Sequence, residues 1–168
     1  MHHKQCHAVL GAGFVLLLSS ITGLPKATQA ATATTTFQVT ATVQATCLIS
    51  ATNLAFGTYT GVVASSTSTI TVTCTNTSPY NVGLNPGTAP GATVTTRKMT
   101  GPGAALLAYA LYQDAGHTIN WGQTVGTDTE AGTGNGSAQT LTVYGLLGAG
   151  QFPAPGAYVD TITATVTY

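Results

Sequence analysis

The sequence predicts an all-β sandwich, and three observations carry that prediction. Most segments of the 168-residue chain alternate apolar and polar side chains with a period of two, as half-buried strands do. The segments are short and evenly spaced, and the turns between them draw on 20 glycines and 7 prolines, the punctuation of sandwiches and barrels. After the first 30 residues no stretch reads as a convincing helix. Seven or eight strands, no internal repeat and no second domain are expected.

The first 30 residues read as a secretory signal peptide. "MHHKQCHA" is polar and mildly basic, "VLGAGFVLLLSSITGL" is apolar, and "PKATQA" places Thr28 and Ala30 at the −3 and −1 positions of a cleavage site. The apolar part is short for a membrane span, and the helix-breaking Pro25 follows it. Cleavage is expected after Ala30, with Ala33 as the second choice. The exported chain, residues 31–168, is long enough for a real core.

Its elements follow in order. In "TTTFQVTATVQATC" (residues 34–47) Phe37, Val39, Ala41, Val43 and Ala45 alternate with Gln38, Thr40, Thr42, Gln44 and Thr46. This is a strand pattern, yet no turn and partner follow within hairpin distance. "NLAFGTYTG" (53–61) reads as a short strand ending at a Gly turn. "SSTSTITVTCTN" (65–76) puts Ile70, Val72 and Cys74 on one face and Thr69, Thr71 and Thr73 on the other. "SPYNVGLNPG" (78–87) is a strand closed by Asn-Pro-Gly. "GATVTTRKMTGPG" (91–103) is polar and hairpin-like. "ALLAYALYQDAGHTINWG" (105–122) opens with good helix formers, but the flanking "GPG" and the tyrosines favour a strand through Tyr112 and a turn at "DAGH". "QTVGTDTEAGTGNGS" (123–137) reads as a loop, "AQTLTVYGLLGAG" (138–150) as a strand. "AYVDTITATVTY" (157–168) reads as one long final strand with Tyr158, Ile162, Ala164, Val166 and Tyr168 on one face.

Of three cysteines, Cys6 leaves with the signal peptide. Cys47 and Cys74 remain, and an even count in an exported protein makes a disulfide the default. It would stabilise by about 3–4 kcal/mol in the chain-entropy account.

Charge excludes several functions. The exported chain keeps only Arg97, Lys98, Asp114, Asp128, Glu130 and Asp160, two basic against four acidic groups, for a net charge near −2. It lacks the basic footprint of a nucleic-acid binder and the polybasic cluster of a membrane-surface binder. Arg97 and Lys98 are expected as solvent-facing gatekeepers on an edge strand. Catalysis is not expected. His117 and Asp114 in "QDAGHT" read as a β-turn, and nothing positions Ser137 to complete a triad. Asp128 and Glu130 read as a solvated loop rather than a calcium site. "GTGNG" lacks the setting and the Lys of a phosphate loop. With His117 the one histidine left after cleavage, neither a metal nor another cofactor is expected. Trp121 is expected to pack at a sandwich edge. A surface so rich in Thr and poor in charge suits a particle that packs into a fibre.

Four motifs in order, "FQVTATVQATC", "ITVTCTNTSPYNVGL", "LAYALYQDAGHTINWG" and "PGAYVDTITATVTY", resemble spore coat U (SCPU) domain proteins, which are similar to archaic chaperone–usher pilus subunits. The resemblance covers essentially all of residues 31–168. It implies an incomplete, pilin-type immunoglobulin-like β-sandwich lacking its last strand, with an N-terminal donor-strand extension. A periplasmic chaperone lends a strand to the gap. At the outer-membrane usher the extension of the next subunit replaces it. The implied layout is a signal peptide at 1–30, the donor extension at 31–46 and the sandwich at 47–168. Phe37, Val39, Ala41 and Val43 match the donor strand, Cys47 and Cys74 the disulfide, and Tyr158, Ile162, Ala164, Val166 and Tyr168 the edge of the acceptor groove. Two departures stand out: Ala41 and Ala45 are small for anchors, and Asp160 interrupts the apolar face. The implied function is that of a structural subunit of a fibre on a Gram-negative cell surface, reached through the periplasm, with a role in adhesion or biofilm formation. Its partners are the chaperone, the usher and neighbouring subunits, with no nucleic acid and no small-molecule substrate. A tip adhesin would usually carry a further binding domain, so a rod or minor subunit is expected. The alternative is a self-complemented envelope or spore-coat protein that does not polymerise.

Overall fold

A computed structural model describes residues 28–168; all but the last three residues of the expected signal peptide lie outside the described residues. Contacts divide the chain into one unit ending at Thr40 and a second, Ala41–Tyr168. The second unit holds eight strands: β1 (Cys47–Ala51), β2 (Ala64–Cys74), β3 (Pro79–Leu84), β4 (Arg97–Thr100), β5 (Leu106–Tyr112), β6 (Glu130–Thr133), β7 (Ala138–Leu147) and β8 (Ala164–Thr167). They form two sheets, ordered β1-β2-β7-β5-β4 and β6-β3-β8. Every ladder is antiparallel. The fold is the expected immunoglobulin-like all-β sandwich.

The alternation builds the core. Ile70, Val72 and Cys74 of β2, Tyr80, Val82 and Leu84 of β3, Leu107, Tyr109 and Leu111 of β5, and Val143 and Leu147 of β7 are all buried between the sheets. Each alternates with side chains that are more exposed, so one face of each strand supplies the apolar layer. Cys47 and Cys74 sit directly opposite each other in the β1–β2 register and are disulfide-bonded, with their Cα atoms 4.1 Å apart. Next to them, the Thr75 amide donates to the Thr46 carbonyl at 2.9 Å, tying residue 46 to the body.

The structure corrects several expectations about elements. Residues 28–46 contain no strand, and Phe37, Val39 and Val43 are each more than four-fifths exposed. Alternation alone does not make a ladder, because a strand needs a neighbouring edge. Residues 53–60 also lack a ladder; past Ala51 they lay Leu54 and Phe56 over Gly145, where a Cβ would come within 2.8 Å of Leu54. The expected loop at 123–137 contains β6, which pairs with β3 despite weak alternation. The ring of Tyr80 fills the space where Gly132 would otherwise carry a side chain.

The final segment is not one continuous strand. Val159 exchanges two backbone hydrogen bonds with Thr100 at the end of β4, at 2.9 and 3.1 Å. Five residues later the chain joins the other sheet, with Ala164 opposite Leu84 and Val166 opposite Val82. The segment changes partner between Asp160 and Thr163, and the ladder is interrupted there.

Candidate functional site

β1 and β8 approach one another with no ladder between them, and a cleft of about 1340 Å³ opens along this gap. Its floor includes Ile70, Leu84, Leu107, Leu111, Val143 and Leu147 from both sheets. One rim is residues 51–61, the continuation of β1. Leu54, Phe56 and Tyr59 lean from it onto the core, and Phe56 meets Tyr109 edge-on with ring centroids 6.1 Å apart. The Tyr59 hydroxyl donates to the Gly148 carbonyl at 2.6 Å.

The other rim is residues 151–160 with Ile162 and Ala164. The Gln151 side chain fastens it to β5 by pairing with both backbone groups of Ala108, each bond 2.8 Å long. The Tyr158 ring lies flush against Gly101, where any Cβ would collide with it, and its hydroxyl donates to the Ala154 carbonyl at 2.6 Å.

The free edge of this rim can be assigned residue by residue. The Asn85 amide donates to Thr163 O at 3.1 Å, so in an antiparallel ladder Thr163, Thr165 and Thr167 turn their backbone groups toward β3. Ala164 and Val166 then turn theirs outward, toward the gap. The Asp160 and Ile162 amides have no backbone partner among the described residues. A row of backbone donors and acceptors on one side of an apolar trough is a template for one more strand.

Asp160 is the one charged group lining the cleft. Its carboxylate accepts bonds from the Tyr109 hydroxyl at 2.7 Å, the Thr88 amide at 2.8 Å and the Thr88 hydroxyl at 2.9 Å. Burial, and then the bond to Asp160 and its charge, push the Tyr109 phenol above its ordinary range. A half-buried charge is tolerated when it is so fully bonded, and this one clamps the 85–89 loop, β5 and the rim together.

Among the residues the sequence singles out, Tyr158, Ile162 and Ala164 line the cleft. Val166 packs against the core beside it, and Tyr168 is 58% exposed. Phe37 and Val39 belong to the first unit, Ala41 and Val43 to the second. Asp114 accepts bonds from the amides of Ile119 at 2.7 Å and Thr118 at 2.9 Å. The Ile119 bond above all, with help from Thr118, holds its carboxyl below the usual range. His117 takes a left-handed conformation at φ 55° and packs edge-on against Tyr112, so "QDAGHT" is the expected turn. The Asp128 carboxylate caps the Thr124 amide at 2.7 Å. No group of three His, Cys, Asp or Glu side chains is placed to hold a metal among the described residues.

Arg97 corrects the gatekeeper expectation. β4 is an edge strand, but Arg97 points inward and is fully buried. Its guanidinium donates to the carbonyls of Asn85 at 2.9 Å, Val94 at 2.6 Å, Leu84 at 2.9 Å and Trp121 at 2.7 Å. Burial pulls its pKa down to about 10. Trp121 is likewise fully buried, deeper than expected, and donates from Nε1 to the Val82 carbonyl at 2.8 Å. The 51–61 rim was also legible only in part: the Leu54 and Phe56 alternation marks a buried face but not what lies beside it.

The sequence pattern of the Spore Coat Protein U domain matches residues 33–165. Protein U of Myxococcus xanthus is 36% identical over 128 residues, which cover 68% of this chain and 71% of that protein. A similar solved structure is the CsuC–CsuE chaperone–tip adhesion subunit pre-assembly complex from archaic chaperone–usher Csu pili of Acinetobacter baumannii. It superposes with a TM-score of 0.55 and 25% identity over 76% of this chain, which spans 40% of the length of that one. With its family pattern matched over residues 33–165, the chain belongs to the Spore Coat Protein U domain family.

Proposed function

We propose that the chain is a structural subunit of a chaperone–usher-type surface fibre, assembled by donor-strand complementation. The observation that carries this is the pairing of two incomplete parts in one molecule. An apolar cleft lies open along an unpaired strand edge, and an exposed alternating segment, Phe37, Val39, Ala41 and Val43, has no sheet of its own. In this reading residues 1–30 direct export, 31–46 are the donor extension, and 47–168 are the acceptor body. The Csu complex, a chaperone bound to a pilus subunit, supports the same class of partners here. They are a periplasmic chaperone that fills the cleft first, an outer-membrane usher, and neighbouring subunits. The product is a fibre outside the cell, serving adhesion or biofilm formation.

The energetics favour such an exchange. Burying Phe37 and the two valines contributes about 1.5–3 kcal/mol each, and each backbone hydrogen bond about 0.5–1.5 kcal/mol net. Ordering the strand costs about 1–2 kcal/mol per residue. The balance is modest for a free peptide, so a chaperone that holds the body folded until exchange is a physical need. Head-to-tail contacts that do not close on themselves propagate into a filament.

Deleting residues 31–45 tests the proposal. The expected product binds its chaperone but no longer forms heat-resistant ladders on a denaturing gel. Persistent ladders would rule out donor-strand exchange. A monomer that instead loses its own stability on this deletion is a self-complemented envelope or spore-coat protein.

A further inference from the structure

Donor-strand exchange leaves open which donor residue meets which position on the rim. We infer that Phe37–Val43 of one copy enters the cleft of the next antiparallel to the final segment, with Phe37 beside Ala164, Val39 beside Ile162, Ala41 beside Asp160 and Val43 beside Tyr158. This inference rests on the proposed exchange and adds its register.

The extent of the cleft sets the first limit. On the final segment the inward positions that line it are Tyr158, Asp160, Ile162 and Ala164, whereas Val166 and Tyr168 lie beyond it. Four inward positions on the rim meet four inward positions on the donor, over the same seven-residue span. The same four rim residues alternate with Val159 and Thr163, whose backbone groups are already bonded to Thr100 and Asn85. They are therefore the residues whose backbone faces the incoming strand.

Side-chain size and charge set the direction. Facing positions pack best when large meets small. In the antiparallel arrangement Phe37, the largest donor side chain, meets Ala164, the smallest of the four on the rim. Ala41, the smallest donor, meets Asp160, whose carboxylate stays bonded to Tyr109 and Thr88. The parallel arrangement drives Phe37 against the Tyr158 ring and lays Val39 over the carboxylate. Sliding the antiparallel strand by two residues one way leaves Phe37 beside Val166, outside the cleft. Sliding it the other way again puts Val39 on Asp160. The small Ala41 in the donor and the charge on the acceptor face, each a departure when considered alone, are complementary in this register.

Cysteine pairs in the full chain, produced in cells with its own assembly machinery, test the register. Directly opposed residues of a bonded antiparallel pair have Cα atoms about 5.5 Å apart, within disulfide range. Phe37→Cys with Ala164→Cys is expected to give fibres whose subunits stay covalently linked after full heat denaturation and separate on reduction. Phe37→Cys with Tyr158→Cys, or with Val166→Cys, is expected to give none. A link at position 158 or 166 would overturn the register and leave strand exchange standing. A Phe37–Ala164 link inside a single chain, or no link between copies for any pair, would overturn both. A second measurement needs no cysteines. Ala41→Leu is expected to speed fibre dissociation about tenfold through overpacking at Asp160, and Ala45→Leu to leave it unchanged. The reverse order contradicts the register.

Discussion

Two seams join the sheets, and they are built from opposite materials. Where β4 approaches the end of β3, Arg97 and Trp121 reach across and satisfy five carbonyls from Leu84, Asn85, Val94, Trp121 and Val82. Both side chains are fully buried. Where β1 and its continuation approach β8, the walls are apolar, the strand edge is unpaired and a cleft remains. Side chains of the same chain close the first seam. The second is left as an apolar cleft beside backbone groups with no partner among the described residues. A sandwich can leave one seam unfilled when the other, together with the Cys47–Cys74 bond, holds the sheets in place.

The largest effect is expected at the closed seam. Arg97→Ala strands four carbonyls that the guanidinium now satisfies. Unpaired buried polar groups cost about 1–3 kcal/mol each, and single substitutions seldom exceed about 5 kcal/mol. A loss of about 4 kcal/mol is expected, measured as a shift in the urea midpoint. Arg97→Lys recovers only part of it, because an ammonium cannot span the same fork of acceptors. A loss below about 1 kcal/mol would mean the seam is closed by packing alone.

A smaller effect, different in kind, is expected at the open seam. Ile162 is half-buried on the cleft rim. Ile162→Ala should lower the stability of the unassembled chain by about 1 kcal/mol, below the usual cost for a fully buried position. In the fibre the same side chain would be covered by the donor, so dissociation should speed by more than about tenfold. Equal effects on chain and fibre would mean that assembly does not bury this rim.

Much of this was legible in the sequence. β2, β3, β5 and β7 follow from alternation, the "QDAGHT" turn from its Asp and Gly, and the disulfide from an even cysteine count in an exported chain. The remainder depends on partners remote in sequence. Arg97 is buried only because carbonyls from residues 84–85, 94 and 121 converge on it, and no local pattern announces that. β6 exists because β3 offers it an edge. The break in the final segment reflects a change of partner from Thr100 to β3, which its unbroken alternation conceals. The segment at 34–46 shows the opposite case, a full strand pattern with no ladder in its own chain.

The most direct measurement mixes the chain lacking residues 31–45 with a peptide of residues 34–46 and follows thermal unfolding. The account expects a saturable rise in Tm at one peptide per chain, reaching about 2.7 kcal/mol of added stability at a hundredfold excess over Kd. A peptide of the same composition with its alternation scrambled should give none. No rise with the native peptide, or an equal rise with the scrambled one, would contradict the claim that the open seam is shaped for this strand.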